Sequence, residues 1–414
     1  MADSDIYIAG VGMTPFGRHP GLSVKALTAW AVRDALEDAG CEAGAVGTVF
    51  FGNTAQGFFE GQHVIRGQVA LLPLGLTGIP IHNVESACAT GSTAFHLAVQ
   101  TLRAGAAEIV LAVGAEKLHI PDKARMLALF EGGWDVATAR ENAARLTALG
   151  QGVELPPGVV ATAAHSRFMD VYAAFGRQLM RRHGLTARQI ACVAAKNHTH
   201  SVHNERAQYR HAMGTDEVLA APGVVWPLTL PMCSPISDGA AAVLLCTGAA
   251  LARMRRHAAP VRVRASVMRS ASARDSEALE HHVTRLAAQA AYEAAGVAPG
   301  DIDVAEVHDA TAVGEIIQSE NLGFCEPGAG GRFAESGASS LGGTLPVNPS
   351  GGLESKGHPI AATGLGQIFE LVQQLRHACG ARQVAAARLA MQENGGGLWG
   401  VEEAAAHVGI FERV

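Results

Sequence analysis

The chain has 414 residues, 48% hydrophobic and 17% charged, which suffices for a large core and suggests two domains or two fused halves. A net charge of −6 without a basic stripe argues against nucleic acid as a partner, and no run reaches the ~18 apolar residues of a membrane span. The acidic start, Met1-Ala-Asp-Ser-Asp5, does not read as a signal peptide. The seven cysteines (Cys41, Cys88, Cys192, Cys233, Cys246, Cys325 and Cys379) are scattered without a Cys-x-x-Cys, so reduced thiols of a cytoplasmic protein are expected, with no disulfide and no metal site.

Ile6–Val11 reads as a strand. Gly10-x-Gly12 behind it faintly suggests a dinucleotide turn, but Pro15 and the distance to Gly17 spoil the spacing, and it is set aside. An Ala-rich helix ending near Gly40 leads to a short apolar strand before Asn53. Ile79–Ile81 then feeds a turn, and a helix is predicted from about Cys88 to Arg103, with Phe95, Leu97, Ala98 and Leu102 on one face. A cysteine at a helix N-terminus meets the positive end of the dipole, which favours thiolate. Ala87, Ala89 and Gly91 leave room beside it. Cys88 is therefore a candidate nucleophile, with an inert buried cysteine as the alternative.

Lys117–Val159 is irregular and reads as an insertion over the core, where long loops act as lids or substrate walls; Phe130 and Trp134 are its candidate pocket residues. A helix over Ala163–His183 carries a Phe168, Met169, Tyr172, Phe175, Met180 stripe, read as core packing. His198, His200, His203 and His211 lack carboxylate or cysteine partners at ligand spacing and read as a solvated face, or as a lining for phosphate groups. Pro231–Ser237 is a loop, and Asp238-Gly-Ala-Ala-Ala-Val-Leu-Leu leads into a buried strand that closes the first half.

The second half repeats the first. Arg285–Asp309 aligns with Ala29–Asn53, placing Gly296 on Gly40, and Ala362-Thr363-Gly364 aligns with Ala89-Thr90-Gly91. A duplicated α/β fold is expected, its halves spanning residues 1–255 and 256–414, with the insertion at about 117–160. By that repeat, the Gly- and Pro-rich turn holding His358 is the counterpart of the Cys88 turn, so both should meet at one central site as nucleophile and base. His308, at the end of a short strand, suits polarising a carbonyl. Gly395-Gly396-Gly397 offers bare backbone N–H groups for an oxyanion.

Taken together, Ile8-Ala-Gly-Val-Gly-Met-Thr-Pro-Phe-Gly, Ser86-Ala-Cys-Ala-Thr-Gly-Ser, Ser237-Asp-Gly-Ala-Ala-Ala, His308-Asp309, Asn348-Pro-Ser-Gly-Gly, Gly357-His-Pro and the late Gly triplet resemble the thiolase superfamily, most closely its sterol-carrier-protein type and bacterial relatives. The resemblance covers nearly the whole chain. It implies a five-layered α/β/α/β/α fold of two thiolase halves, a dimer at least, acyl-CoA substrates, and coenzyme A as cosubstrate with no tightly bound cofactor. It implies that Cys88 carries the acyl group and that His358 activates it. His308 and His358 would form one oxyanion hole, and the N–H groups of Cys88 and Gly395 the other.

One departure matters. Two-cysteine thiolases place their second cysteine where this chain has Glu393, and the sterol-carrier type places it where this chain has Ala310. Glu393, a carboxyl among apolar walls, is the candidate proton carrier in its stead. The expected activity is thiolysis of a 3-oxoacyl-CoA or the reverse Claisen condensation. The alternatives are a retro-aldolase acting with a small zinc-ribbon/OB-fold subunit, which the intact Cys88 argues against, and a non-catalytic scaffold.

Overall fold

The computed structural model describes residues 5–157, 159, 164–254 and 258–414. The acidic start before Asp5 and the expected boundary at 255/256 fall outside the described residues, as does the end of the insertion at residue 160.

Among the described residues eleven strands form: β1 (Ile6–Met13), β2 (Thr48–Gly52), β3 (Ile81–Val84), β4 (Ile109–Glu116), β5 (Gly223–Val225), β6 (Leu228–Thr229), β7 (Gly239–Thr247), β8 (Val261–Ser270), β9 (Val304–Glu306), β10 (Leu389–Gly396) and β11 (Ala405–Arg413). Nine of them join in the order β3-β2-β4-β7-β1-β8-β11-β10-β9, while β5 and β6 pair separately. Among the described residues the two parts of the large sheet pair at Tyr7–Arg262 and Ile8–Val261. Each part has the same plan: β2-β4-β7-β1 on one side corresponds to β9-β10-β11-β8 on the other, with β3 added at the first edge. Helices follow suit. Those at Val24–Ala39 and Val283–Ala295 both end on left-handed glycines, Gly40 and Gly296, as the aligned segments predict.

Side-chain alternation along the strands builds the layers. In β4, Val110 and Ala112 face a central core shared with Phe95, Leu365 and Ile368. Leu111 and Val113 face the helix 24–39. In β11, Val408 and Ile410 pack under the helix 283–295, whereas Phe411 turns to the central core. The helices Thr90–Arg103 and Thr363–Leu375 fill the middle, each touching strands of both halves. The result is the expected five-layered α/β fold of two similar halves. The helix 363–375 has no exposed residue; Gln367 Oε1 accepts from Gln392 and Glu370 pairs with Arg382, while Gln367 Nε2 has no partner among the described residues.

Gly10 and Gly12 are explained by packing, not by a nucleotide. A Cβ on either would lie 2.3 or 2.1 Å from the carbonyl oxygens of Ala35 and Ala31, so the first helix lies directly on β1. A second group of helices (167–183, 187–200, 312–321 and 330–335) packs around its own apolar cluster and covers the end of the sheet where the two half-repeats converge. No helix among the described residues is long and apolar enough to cross a membrane.

Candidate active site

Cys88 lies in a single 3₁₀ turn, Ala87–Ala89, between β3 and the helix that starts at Thr90. The strand before it begins at Ile81, two residues later than the sequence predicts. Ala87 takes a positive φ of 47°, a strained value for a residue with a side chain. The Thr90 hydroxyl accepts the Ser86 N–H and donates to the Ala87 carbonyl, which holds the turn. Gly396 at the end of β10 makes room for it, since a Cβ there would sit 2.3 Å from the Ser86 carbonyl oxygen.

His358 comes from the matching turn of the second half, before the 3₁₀ turn Ile360–Ala362. Its N–H donates to Ser237 Oγ, and Ile236 pairs with it as an isolated bridge, so the loop 231–237 holds it in place. His358 Nε2 lies 3.2 Å from Cys88 Sγ, and Nδ1 lies 2.6 Å from Thr363 Oγ1. The Thr363 hydroxyl donates to the Pro359 carbonyl, so it accepts from Nδ1–H. That fixes the tautomer: Nε2 is bare and faces the thiol.

The electrostatics correct one expectation. The helix terminus does not make Cys88 a resting thiolate. Burial, then the charges of Glu85 and Glu116, push the thiol up to about 12. Burial also holds His358 well below its usual value, helped by His308. The resting pair is therefore neutral thiol and neutral imidazole, with proton transfer coupled to attack. Without substrate, Cys88 alkylation by iodoacetamide is expected to rise about tenfold per pH unit between about pH 7 and 9. A plateau across that range, measured by peptide mass spectrometry, would indicate a thiolate instead.

His308 is buried, its ring centroid 5.3 Å from that of His358. Neither ring nitrogen has a hydrogen-bond partner among the described residues, and burial lowers it to about 4. A neutral imidazole with both nitrogens free suits a substrate oxygen. Ligand atoms of Cys88, His308 and His358 all lie within 4.8 Å of one another. Behind them, Asp309 accepts the Leu353 N–H at 2.8 Å and tethers the segment that leads to His358.

Glu393 is fully buried in β10, one oxygen accepting the His308 N–H at 2.9 Å and the other without a hydrogen-bond partner among the described residues. Burial, then the charge of Glu403, raises it well above the usual carboxylate value. It stands behind His308 and is not among the residues lining the cavity. Gly395 follows two residues later in the same strand, with the Glu403 side chain packed against it.

The three site residues open into a cavity of about 550 Å³. Phe168, Met169 and Tyr172 line it, so part of the stripe read as core packing is pocket wall; Phe175 and Met180 pack against the helical cluster. From the insertion, Phe130 lines the cavity. Trp134 does not; it stacks on Phe168 from behind with centroids 5.1 Å apart. Phe130→Ala is expected to change the ranking of acyl-CoA chain lengths several-fold with little effect on the best substrate's turnover, checked by kcat/KM across a series of chain lengths. Sequence reasoning missed Tyr172, Cys233 and Glu403 in this wall, because their positions are set by long-range packing and carry no local motif.

The histidine cluster also differs from expectation. His198 and His200 are buried, whereas His203 and His211 are exposed as expected. His200 bridges the Asn348 carbonyl and the Leu341 N–H, and burial lowers it to about 3. These are structural hydrogen-bond bridges.

Residues 6–215 match the family described as "Thiolase, N-terminal domain", and residues 265–408 match "Thiolase C-terminal domain-like". The chain belongs to the thiolase family. This thiolase-family enzyme is 38% identical over 415 residues to an acetyl-CoA acetyltransferase of Methanothermobacter thermautotrophicus, across 99% of this chain and all of that one. It is 34% identical to human sterol carrier protein 2, over 94% of this chain and 69% of that protein. It is also 34% identical to the benzoylsuccinyl-CoA thiolase subunit BbsB of Thauera aromatica, over 92% and 91% of the two chains. Among solved structures, the Ltp2-ChsH2(DUF35) aldolase shares the fold of this thiolase with a TM-score of 0.78 at 21% identity, covering 100% of this chain and 99% of that one.

Proposed function

We propose that this thiolase cleaves a 3-oxoacyl-CoA with coenzyme A, or runs the reverse Claisen condensation, through an acyl-cysteine on Cys88. The observation that carries the proposal is the contact of 3.2 Å between Cys88 Sγ and a His358 Nε2 whose tautomer is fixed as an acceptor. As Sγ attacks the 3-oxo carbonyl, Nε2 takes the thiol proton. The backbone N–H groups of Cys88 and Gly395 receive the developing alkoxide. The bond between carbons 2 and 3 breaks, its electron pair leaves as the enolate of the acyl-CoA formed from carbons 1 and 2, and the shortened acyl group stays on Cys88. His308, with the newly protonated His358, holds that enolate oxygen. Glu393, the candidate proton carrier from the sequence, lies behind His308 and outside the cavity wall, so a carboxyl with access to the substrate gives the enolate its proton. Coenzyme A thiol then attacks the acyl-cysteine, giving its proton to the carboxylate that protonated the enolate, and His358 returns its proton to the departing Cys88 sulfur. Arg18 and Lys123 line the same cavity and supply positive charge for a phosphorylated substrate.

Two halves divided near residue 255, a cytoplasmic location, and an oligomer complete the proposal. Phe58, Val64, Ile65 and Leu72 are exposed within one stretch of the first half, which supports a dimer interface there; a small partner subunit is also part of the proposal. Sedimentation that returned an active monomer of 42.9 kDa would remove the oligomer.

The aldolase alternative needs no acyl-cysteine and consumes no coenzyme A. Purified protein given 3-oxoacyl-CoA substrates should form two acyl-CoA products only when free coenzyme A is present. Cleavage that proceeds without coenzyme A and releases an aldehyde or ketone would favour the lyase.

A further inference from the structure

Two buried groups and one half-buried group around the cavity have no part in the chemistry so far: Tyr172, Glu403 and Cys233. Cys233 is held by the Thr229 carbonyl, 3.6 Å from its sulfur, and burial pushes its thiol far up, which makes it a poor proton carrier. Glu403 is different. It lies two residues before β11, and its side chain folds back over Gly395, where a Cβ would come within 2.7 Å of Glu403 Cγ. A residue larger than glycine at 395 would displace it. Gln318 Nε2 donates to Glu403 Oε1 at 2.9 Å and fixes the carboxyl plane. Oε2 is buried and accepts no hydrogen bond among the described residues, with His282 Nε2 3.4 Å away.

Glu403 lines the cavity together with Cys88, His308 and His358. It is also the largest charge acting on two neighbours. Its negative charge adds to burial in raising Glu393, and does the same to the Tyr172 phenol, which also feels Cys88 and Glu393. Tyr172 therefore stands among Cys88, Glu393 and Glu403. Glu393, by contrast, has one oxygen occupied by the His308 N–H and no place in the cavity wall.

We propose that Glu403 is the catalytic carboxyl that exchanges a proton with the substrate's α-carbon, with Glu393 behind it. The proposal rests on the acyl-transfer reading above. In the condensing direction, Glu403 carboxylate takes a proton from carbon 2 of the acyl-CoA. The C–H electron pair becomes the enolate double bond, and the thioester oxygen takes up negative charge at His308. In the cleaving direction, Glu403 acid returns the proton to the enolate carbon and is left as carboxylate. The backing of Gly395 and the anchor from Gln318 hold the carboxyl where a flexible surface glutamate would not stay.

The test is α-proton exchange. Wild type and variants are incubated with acyl-CoA in D₂O, and deuterium at carbon 2 is followed by mass spectrometry alongside acylation of the Cys88 peptide. Glu403→Gln keeps the Gln318 bond through its carbonyl oxygen but cannot carry the proton. It should form the Cys88 adduct at close to the wild-type rate and lose exchange by about 10²-fold or more. Glu403→Asp, shorter by one methylene, should retain partial exchange. Exchange within about threefold of wild type in Glu403→Gln, with Cys88 still acylated, overturns the role of Glu403 and leaves the acyl-cysteine reading intact. Wild-type protein that never acylates Cys88 refutes that reading instead. A Glu403→Gln protein that fails at both would overturn the assignment if Glu403→Asp fails at both as well, since the residue would then serve the fold or the acylation step.

Discussion

Cys88→Ala is expected to lose carbon–carbon bond cleavage and formation by about 10⁴-fold or more, with the fold unchanged. The size follows from the kind of step removed. Without the sulfur no covalent intermediate forms, and what remains is the binding and polarisation that the rest of the cavity provides, a small residue of the whole when a nucleophile acts as part of a unit. The substitution should cost little stability. The thiol is only partly buried and faces the cavity, its one hydrogen-bond partner is His358, and alanines already flank it on both sides. Circular dichroism and thermal melting would verify the fold, and thiolysis assayed over a range of 3-oxoacyl-CoA substrates would measure the loss. Retention of more than a tenth of the activity would mean that the bond is broken without an acyl-cysteine.

His358→Asn is expected to slow acylation of Cys88 by about 10²–10⁴-fold, the usual worth of a general base. The argument rests on the neutral resting pair. A thiol pushed up to about 12 is almost wholly protonated near neutrality, so attack depends on a base within reach, and His358 Nε2 is that base at 3.2 Å. An asparagine keeps a polar group of related size in the turn, and its N–H to Ser237 Oγ is a backbone contact that survives the change. Raising the pH should rescue the variant in part, because more thiolate forms unaided. Single-turnover acylation followed across pH measures both effects. A variant that acylates within about threefold of wild type, with no added pH dependence, would assign the proton to another group.

The layered fold was legible because its signals are local and occur twice. The strand-helix-strand run ending at Asn53 reappears ending at Asp309, and the left-handed glycines Gly40 and Gly296 close the same helix in each half. Cys88 and His358 were legible for the same reason: each precedes an Ala-Thr-Gly that starts a central helix, and symmetry brings the two turns together. What was not legible depends on contacts far apart in the chain. The ionisation of Cys88 is set by burial and by Glu85 and Glu116, which outweigh the helix terminus that local reasoning invoked. Tyr172 sits on a helix whose apolar period looks the same whether it faces core or cavity. Glu403 is brought to the wall by the turn between β10 and β11, and nothing in its immediate neighbours marks it. Glu393 was found by its register against a Gly run, but its hydrogen bond to the His308 N–H could be learned only from the pairing of β9 with β10.

The most direct test of the central claim is the mass of the Cys88 peptide after brief reaction with a 3-oxoacyl-CoA or acyl-CoA and acid quenching. The peptide should gain the mass of the acyl group, lose it again when coenzyme A is added, and show no adduct in Cys88→Ala. An unmodified Cys88 peptide in protein that is turning over its substrate would contradict the account.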